Sequence, residues 1–121
     1  MNNKVITIFG AGFIGKSLIF HLLQKGYIVK AVCRNPYLRG NLKSMANIGQ
    51  LEIKYGDITK IDSIESYFET SNIIINLVGV LAENSKNKYQ QAHVIGPSNI
   101  GKLSKKYNIK RLIHVSSIGA D

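Results

Sequence analysis

Residues 4–15 read KVITIFGAGFIG, an apolar run that ends in three closely spaced glycines. Gly10 predicts a sharp turn off a strand, because glycine adopts a positive φ without a Cβ clash. Gly12 leaves room for the backbone to approach a pyrophosphate, and Gly15 allows a following helix to pack closely on the strand. The stretch therefore predicts the strand–turn–helix unit that cradles a dinucleotide.

The residues on both sides of the turn support this interpretation. Before it lies the apolar run Val5–Phe9, and after it Leu18 and Leu22 belong to an apolar stripe at helical spacing. The first helical N–H groups, at Phe13 and Ile14, would face the phosphates. The alternative is a strand–turn–helix corner without a ligand, which the backbone entropy cost of three glycines disfavours.

Apolar runs and helical stripes alternate along the whole chain. Strands are expected near 4–9, 28–33, 51–55, 73–78 and 111–115, and helices near 13–25, 61–69 and 87–107, with a shorter helix within 37–47. This alternation predicts a single α/β domain over residues 1–121. The expected fold is a Rossmann-type doubly wound parallel sheet in the order 3-2-1-4-5 that stops after the fifth strand.

Several residues predict where these helices begin and end. Gly26 follows the first helix as a C-cap, and Thr59 or Asp62 can cap the helix at 61–69. Pro97 falls inside the last helical segment, where it should kink the helix or mark a restart.

The chain is strongly basic, with 16 Lys and Arg against 7 Asp and Glu and a formal net charge of +9. Much of this charge lies along the predicted last helix and its exit, at Lys86, Lys88, Lys102, Lys105, Lys106, Lys110 and Arg111. Such a face could meet nucleic acid, anionic lipid or an acidic protein. We favour a solvated helix face and expect no nucleic acid partner, because no stacking aromatics are interleaved and no nucleic-acid motif is present.

The single cysteine, Cys33, excludes an internal disulfide and fits a reducing compartment. It has no Cys or His partner at metal spacing, so no metal site is expected and a buried structural thiol is the favoured role. No signal peptide precedes the first strand, and no apolar run approaches the ~18 residues of a membrane span. These features predict a cytoplasmic protein without a transmembrane segment.

Cofactor specificity is expected at the end of the second strand, where an NAD site usually places Asp or Glu on the ribose 2′-OH. Residues 31–36 instead read AVCRNP. The Arg34 guanidinium at this position can pair with a 2′-phosphate and stack on adenine. We therefore expect NADP (NADPH) to be favoured over NAD; the alternative is an ordinary surface arginine.

Two further loops at the same edge supply candidate cofactor contacts. Asp57 follows the third strand, where its carboxylate could accept from the adenine amino group while Ile58 packs on the ring. Gly79 follows the fourth strand, where the lack of a side chain suits close approach of the cofactor. Asp57 and Gly79 are equally residues of ordinary turns.

Together these motifs resemble the extended and atypical short-chain dehydrogenase/reductase superfamily, of the NAD-dependent epimerase/dehydratase type. The resemblance rests on the segments IFGAGFIGKSL, AVCRNP, YGDIT, INLVGVL, KKYNIKR and LIHVSSIGAD. INLVGVLAE and RLIHVSSIGAD look most like the branch that contains the NAD(P)H-binding accessory subunit of respiratory complex I and its bacterial relatives. This resemblance implies a structural NADPH, respiratory complex I subunits as partners, and a peripheral place at the cytoplasmic face of the inner membrane.

The resemblance also implies roles at the end of the fifth strand. It places the residue that polarises a substrate carbonyl or hydroxyl on Ser117, and Ser116 on the nicotinamide side; the alternative is two serines that bond to backbone. His93 stands where many active relatives carry Asn, and it could carry a proton. A packing or surface role is favoured for His93, as it is for His21 and His114.

Two departures from the family pattern limit the catalytic expectation. The glycine turn is one residue shorter than the GxxGxxG spacing usual in this branch. Active members also use a Tyr-xxx-Lys pair, in which Lys lowers the Tyr pKa. The residues four positions after the tyrosines are Ala31, Asn41, Thr59, Ser71, His93 and Arg111.

The missing pair leaves three expectations open. The favoured one is a cofactor-binding module, the N-terminal portion of a longer architecture. The alternatives are the first half of a reductase, epimerase or dehydratase whose Tyr-xxx-Lys lies beyond residue 121, and a shortened remnant without activity. Enzyme activity is expected only if further residues complete the acid–base set.

Overall fold

A computed structural model describes residues 4–10, 13–34, 50–78 and 94–115 of the chain. These residues form parallel strands and the helices between them. The strands are β1 (Val5–Phe9), β2 (Ile28–Cys33), β3 (Leu51–Tyr55), β4 (Ile73–Asn76) and β5 (Arg111–His114). The helices are α1 (Phe13–Gln24), α2 (Glu65–Glu69) and α3 (Gly96–Lys106), with a 3-10 turn at Ile61–Ser63. The short helix predicted within 37–47 lies outside the described residues.

The strands form one parallel sheet in the order β3-β2-β1-β4-β5, which confirms the predicted order. In the centre of the sheet, Ile8 of β1 is in register with Ala31 on one side and Ile75 on the other. The chain leaves β1 toward β2 and β3, then crosses to β4 on the opposite side. The strand order thus reverses beside β1, and a ligand crevice opens at such a reversal in this kind of sheet.

Apolar side chains cover both faces of the sheet, as continuous apolar strands require. One cluster packs α1 on the sheet and contains Ile6, Ile8, Ile19, Leu23, Val29, Ala31, Leu51, Ile75 and Leu77. The other packs α2 and α3 on the opposite face and contains Phe9, Val32, Ile58, Ile64, Phe68, Ile74, Ile100 and Leu103. The central strands therefore lie between two layers of helices.

α1 ends at the glycine that the sequence predicts. Gly26 has φ of +89°, and its N–H donates to the Leu23 carbonyl at 3.1 Å while the Tyr27 N–H donates to Leu22 at 3.2 Å. This pair of bonds is a Schellman motif, so the predicted C-cap is confirmed.

α3 ends in the same motif without a glycine. Asn108 has φ of +53°, its N–H donates to the Lys105 carbonyl at 3.3 Å, and the Ile109 N–H donates to Ser104 at 2.9 Å. Asn is the residue that most often replaces Gly in this conformation. The sequence reasoning missed this cap, although an Asn directly after a helical pattern is a usable signal.

The predicted helix at 61–69 is wrong in its first half and in its cap. It divides into the 3-10 turn Ile61–Ser63 and the short α2, and neither start has a side-chain cap. Thr59 does not cap it, because its N–H and hydroxyl both donate to Asp57 Oδ1, at 3.0 and 2.7 Å. The hydroxyl of Ser63 bonds back to the preceding loop, at 2.7 Å from the Lys60 carbonyl oxygen. These local bonds compete with a regular helical start.

The predicted helix at 87–107 is described only from residue 94. A wide turn at Val94 and Ile95 leads into α3, and Pro97 lies in the first turn of that helix. A proline there gives up an N–H that has no helical partner, so Pro97 marks a helix start. The predicted strand at 73–78 is shorter than expected and ends at Asn76.

Candidate functional site

The glycine turn links the carboxyl end of β1 to α1, as the sequence predicts. Gly10 has φ of +93°, and its N–H donates to the Val32 carbonyl of the neighbouring strand at 3.0 Å. A Cβ at Gly10 would lie 2.8 Å from the Val78 nitrogen, closer than real Cβ contacts allow. Both the backbone conformation and the close approach of the segment after β4 therefore require glycine here.

Gly15 brings the first turn of α1 against the same corner. A Cβ there would lie 2.9 Å from the Gly10 carbonyl oxygen and 3.4 Å from Leu77 Cδ1. α1 begins at Phe13 and continues through Ile14, so its first N–H groups start directly at this turn. Gly12 lies outside the described residues.

Arg34 and Cys33 lie at the carboxyl end of β2. Arg34 directly follows the strand and is exposed, on the same edge of the sheet as Gly10. The Cys33 side chain is half-buried, and its carbonyl accepts from the Gly56 N–H at 3.0 Å. The structure thus places a cation at the edge where the ribose of a bound dinucleotide is expected.

The loop after β3 is held by hydrogen bonds within the loop and by contacts with α3. Asp57 Oδ1 accepts both bonds from Thr59, and Ile58 is buried at 4% exposure. A Cβ at Gly96 would lie 2.3 Å from Ile58 Cδ1, and Asn99 Nδ2 donates to the Ile58 carbonyl at 2.8 Å. The Ile58 side chain belongs to the core cluster beneath α2 and α3, and its predicted packing on an adenine ring stays a prediction.

A buried amide that sequence reasoning missed lies at the end of β4. Asn76 is 1% exposed, and its Oδ1 accepts from the Val78 N–H at 3.0 Å. Its Nδ2 lies 3.0 Å from Nδ1 of His114 on β5. The signal in the sequence was a polar residue inside the apolar run IIINLV.

Several predicted site residues fall outside the described part of the chain. They are Gly79, His93, Ser116 and Ser117. Their expected roles stay predictions. Among the described candidates, Gly10, Arg34 and Asp57 follow the carboxyl ends of neighbouring strands. Gly15 lies in the first turn of α1, and His21 is exposed further along that helix.

The shifted pKa values lie in the layer formed by α2 and α3. Hydrogen bonds from Lys106 and then Tyr107 hold the pKa of Glu65 below its ordinary value, and the same carboxylate raises the pKa of both donors. Burial raises the pKa of Tyr67, whose hydroxyl donates to the Tyr55 carbonyl at 2.5 Å. These contacts hold α2 against its neighbours. The pKa values of Tyr67 and Tyr107 are both raised.

Neither a spanning helix nor a group of metal ligands occurs in the described ranges. None of the helices there is long and apolar enough to cross a bilayer. No three His, Cys, Asp or Glu side chains gather there as metal ligands would.

The comparisons with known proteins agree with this geometry. The profile of a family described as NAD dependent epimerase/dehydratase matches residues 6–120. The chain belongs to this family. The match confirms the resemblance drawn from the sequence motifs and makes a pyridine dinucleotide the expected ligand class of the glycine turn.

Two curated relatives are mitochondrial respiratory subunits. The chain is 30% identical over 122 residues to the NADH-ubiquinone oxidoreductase 40 kDa subunit of Neurospora crassa, covering 100% of this chain and 32% of that protein. It is 34% identical over 123 residues to the mouse NADH dehydrogenase [ubiquinone] 1 alpha subcomplex subunit 9, covering 99% and 32%. The chain thus spans about a third of the length of these relatives.

A solved structure shares the fold. A mutant of uronate dehydrogenase from Agrobacterium tumefaciens, complexed with NAD, superposes with a TM-score of 0.78 at 19% identity. The superposition covers 96% of this chain and 42% of that one.

Proposed function

We propose that this chain is an NADPH-binding module of the NAD-dependent epimerase/dehydratase family and that its cofactor is structural. The observation that carries the proposal is the Gly10 turn, where a positive φ and the approach of Val78 both demand glycine. The turn leads into α1, whose first N–H groups would meet a pyrophosphate as they do in nucleotide cradles. Gly12 and the N–H groups of Phe13 and Ile14 complete the proposed contact.

The preference for NADP rests on Arg34. Arg34 is exposed directly after β2, and the chain has Asn35 and Pro36 after it where an NAD site would place an acid. A guanidinium binds a phosphate dianion through charge-assisted hydrogen bonds that a ribose hydroxyl cannot match. Asp57 on the next loop is proposed to accept from the adenine amino group.

The test is a titration of the 121-residue chain with NADPH and NADH. Arg34→Ala is expected to weaken NADPH binding by about 10–100-fold, the range of a lost charged hydrogen bond, and NADH binding by no more than about twofold. Arg111→Ala is the matched control, because Arg111 is also exposed but lies at the start of β5, on the opposite edge of the sheet. Equal losses for both nucleotides in Arg34→Ala would contradict the preference for NADP.

The proposed partners are subunits of a respiratory complex. The proposal is supported by identity of 30% and 34% to the Neurospora and mouse subunits over nearly the whole chain. The proposed place is the cytoplasmic side of the inner membrane, at its periphery. Co-purification of the tagged chain with NADH dehydrogenase activity from detergent-solubilised membranes is expected, and a purely soluble distribution would contradict it.

The alternative is the first half of an NAD(P)-dependent reductase, epimerase or dehydratase. The family description favours it, and Ser117 with Ser116 beside the nicotinamide would then contribute the polarising hydroxyl. In this chain no tyrosine is followed four residues later by lysine. Continuous oxidation of NADPH in the presence of a carbonyl substrate would favour the enzyme, whereas stoichiometric NADPH retained through purification favours the structural cofactor.

A further inference from the structure

Asn76 connects the last strand of the described sheet to the glycine turn. Its Oδ1 accepts from the Val78 N–H at 3.0 Å, and the Val78 backbone is the group that a Cβ on Gly10 would strike. On its other side, Nδ2 lies 3.0 Å from His114 Nδ1. A continuous path of contacts thus runs from β5 through the buried amide to the turn.

The directions of these bonds follow from elementary donor and acceptor rules. A backbone N–H only donates, so the atom of Asn76 that faces Val78 must be the oxygen. The amide nitrogen then faces His114, and an amide NH₂ only donates. His114 Nδ1 must therefore accept, which requires a neutral ring that carries its proton on Nε2.

We propose that Asn76 and His114 are positioning residues for the dinucleotide, and that the site is formed only when His114 is neutral. Protonation would place a proton on Nδ1 facing the amide donor, so the bond would be lost and two N–H groups would repel. Asn76 would then no longer hold Val78 against Gly10 in one geometry. This inference rests on the proposed function, since it concerns the same turn.

Among the described residues, few charged side chains lie on the elements next to His114. β4, its neighbour in the sheet, has no ionisable side chain, and β1 beyond it has none. Arg111 is at the far end of β5, where it pairs with Ile73. The charges of α3 are Lys102, Lys105 and Lys106, in its second half, which ends at the same far edge.

The experiment measures the Kd for NADP⁺ between about pH 8 and pH 5, the range in which histidine changes charge. The 2′-phosphate itself titrates near pH 6, so each value is compared with that of His114→Phe at the same pH. The wild-type chain is expected to bind about tenfold more tightly than His114→Phe at pH 8, and equally at pH 5. A ratio that does not change with pH overturns the proposal.

Asn76→Asp provides the reverse case. An aspartate can still accept from Val78, and its second oxygen can accept from a protonated His114, so the charged ring becomes the favoured one. The Kd ratio of Asn76→Asp to wild type is therefore expected to fall about tenfold from pH 8 to pH 5. A ratio that rises or stays level contradicts the assigned bond directions.

Two further measurements distinguish a failure of this positioning inference from a failure of the proposed nucleotide binding. His21→Phe, on the exposed face of α1, should leave the pH profile of NADP⁺ binding unchanged. If no nucleotide binds at any pH, the proposed function fails, and ¹⁵N NMR of the histidine rings then decides the positioning inference alone. The inference is supported if His114 carries its proton on Nε2 at pH 8, gains a second proton on Nδ1 on acidification, and shows with it a fall in Tm that His114→Phe lacks. A proton on Nδ1 at pH 8 overturns it.

Discussion

Gly10 and Gly101 differ in what an added Cβ would contact. At Gly10 the backbone has φ of +93° and a Cβ would lie 2.8 Å from the Val78 nitrogen. At Gly101, inside α3, an added Cβ would meet no heavy atom within 4 Å. The same substitution therefore tests strain at one position and helix propensity at the other.

Gly10→Ala is expected to lower the free energy of unfolding by about 2 kcal/mol, the cost of a left-handed residue with crowding. Gly101→Ala is expected to raise it by about 0.5–1 kcal/mol, because alanine loses less backbone entropy in a helix. Urea denaturation monitored by circular dichroism measures both. A Gly10→Ala variant as stable as the wild type would contradict the strain assigned to Gly10, and a loss of stability in Gly101→Ala would contradict the open space at that position.

The sequence predicted Gly10 and Gly26 because a positive φ has a local signal that a single chain displays. It did not predict Asn76, because a buried amide is satisfied by atoms of other segments. The partner His114 is 38 residues away. The predicted strand order makes β4 and β5 neighbours, but it does not give the register that pairs these two residues. Asp57 is the opposite case, because its bond to Thr59 spans only two residues and is a local turn contact of the kind that Asp favours.

At the scale of elements, one carboxylate links two helices of the same layer. Glu65 at the start of α2 accepts from Lys106 Nζ at 2.5 Å and from the Tyr107 hydroxyl at 2.7 Å, both at the end of α3. The pKa of the Glu65 carboxyl is lowered from its ordinary value of 4.5. The link therefore stabilises the fold fully above pH 4.5, and this stabilisation is lost as pH falls through the lowered pKa. The pKa values of Lys106 and Tyr107 are raised from their ordinary values of 10.5 and 10.0, so the link is complete below those values and is lost as pH rises through the raised ones.

Glu65→Gln should remove the acid part of this dependence. The wild-type Tm is expected to fall more than that of the variant between about pH 5 and pH 3, because only the wild type loses an ionised acceptor. Glu69→Gln on the same helix is the matched control and should follow the wild type. Thermal melts by circular dichroism at several pH values measure the difference, and parallel curves for Glu65→Gln and wild type would contradict it.

The elements themselves were predictable to different degrees. Strands β2 and β3 begin and end where the sequence predicts. β2 is mostly apolar, as a strand covered on both faces must be, and β3 alternates apolar and polar residues, as a half-exposed edge strand does. The segment at 61–69 was less predictable, since side-chain bonds from Ser63 and Thr59 compete with helical bonds over the same few residues. Short polar segments depend on such local competition more than on periodicity.

At the scale of the whole molecule, β5 differs from the other strands in its exposure. It is the last strand on its side of the described sheet, and Leu112 and Ile113 are 41% and 40% exposed on opposite faces. An edge strand with apolar side chains on both faces is a template for pairing with another chain. Self-association through β5 is the expected behaviour at high concentration.

Leu112→Lys is expected to reduce this self-association, because a lysine on an edge strand opposes pairing. Analytical ultracentrifugation between about 10 µM and 1 mM, the range in which exposed edges associate, measures the effect. Ser98→Lys adds the same charge at an exposed position of α3 and serves as the control. If both variants reduce association equally, net charge rather than the strand edge is responsible.

The attachment of the Asp57–Ile58 loop to α3 has a consequence for the order of folding. That loop is held by Asn99, which bonds to Ile58 across 41 residues of sequence, and by Gly96, which lies against the Ile58 side chain. Contacts between such distant residues form late, because the intervening chain must lose its entropy first. The β1–α1 unit can begin to form from the first thirty-odd residues, whereas the contact of Val78 with Gly10 and the Asp57–Ile58 loop take their final shape only after the later segments dock. Nucleotide affinity should therefore develop late during refolding, after β1 and α1 have formed.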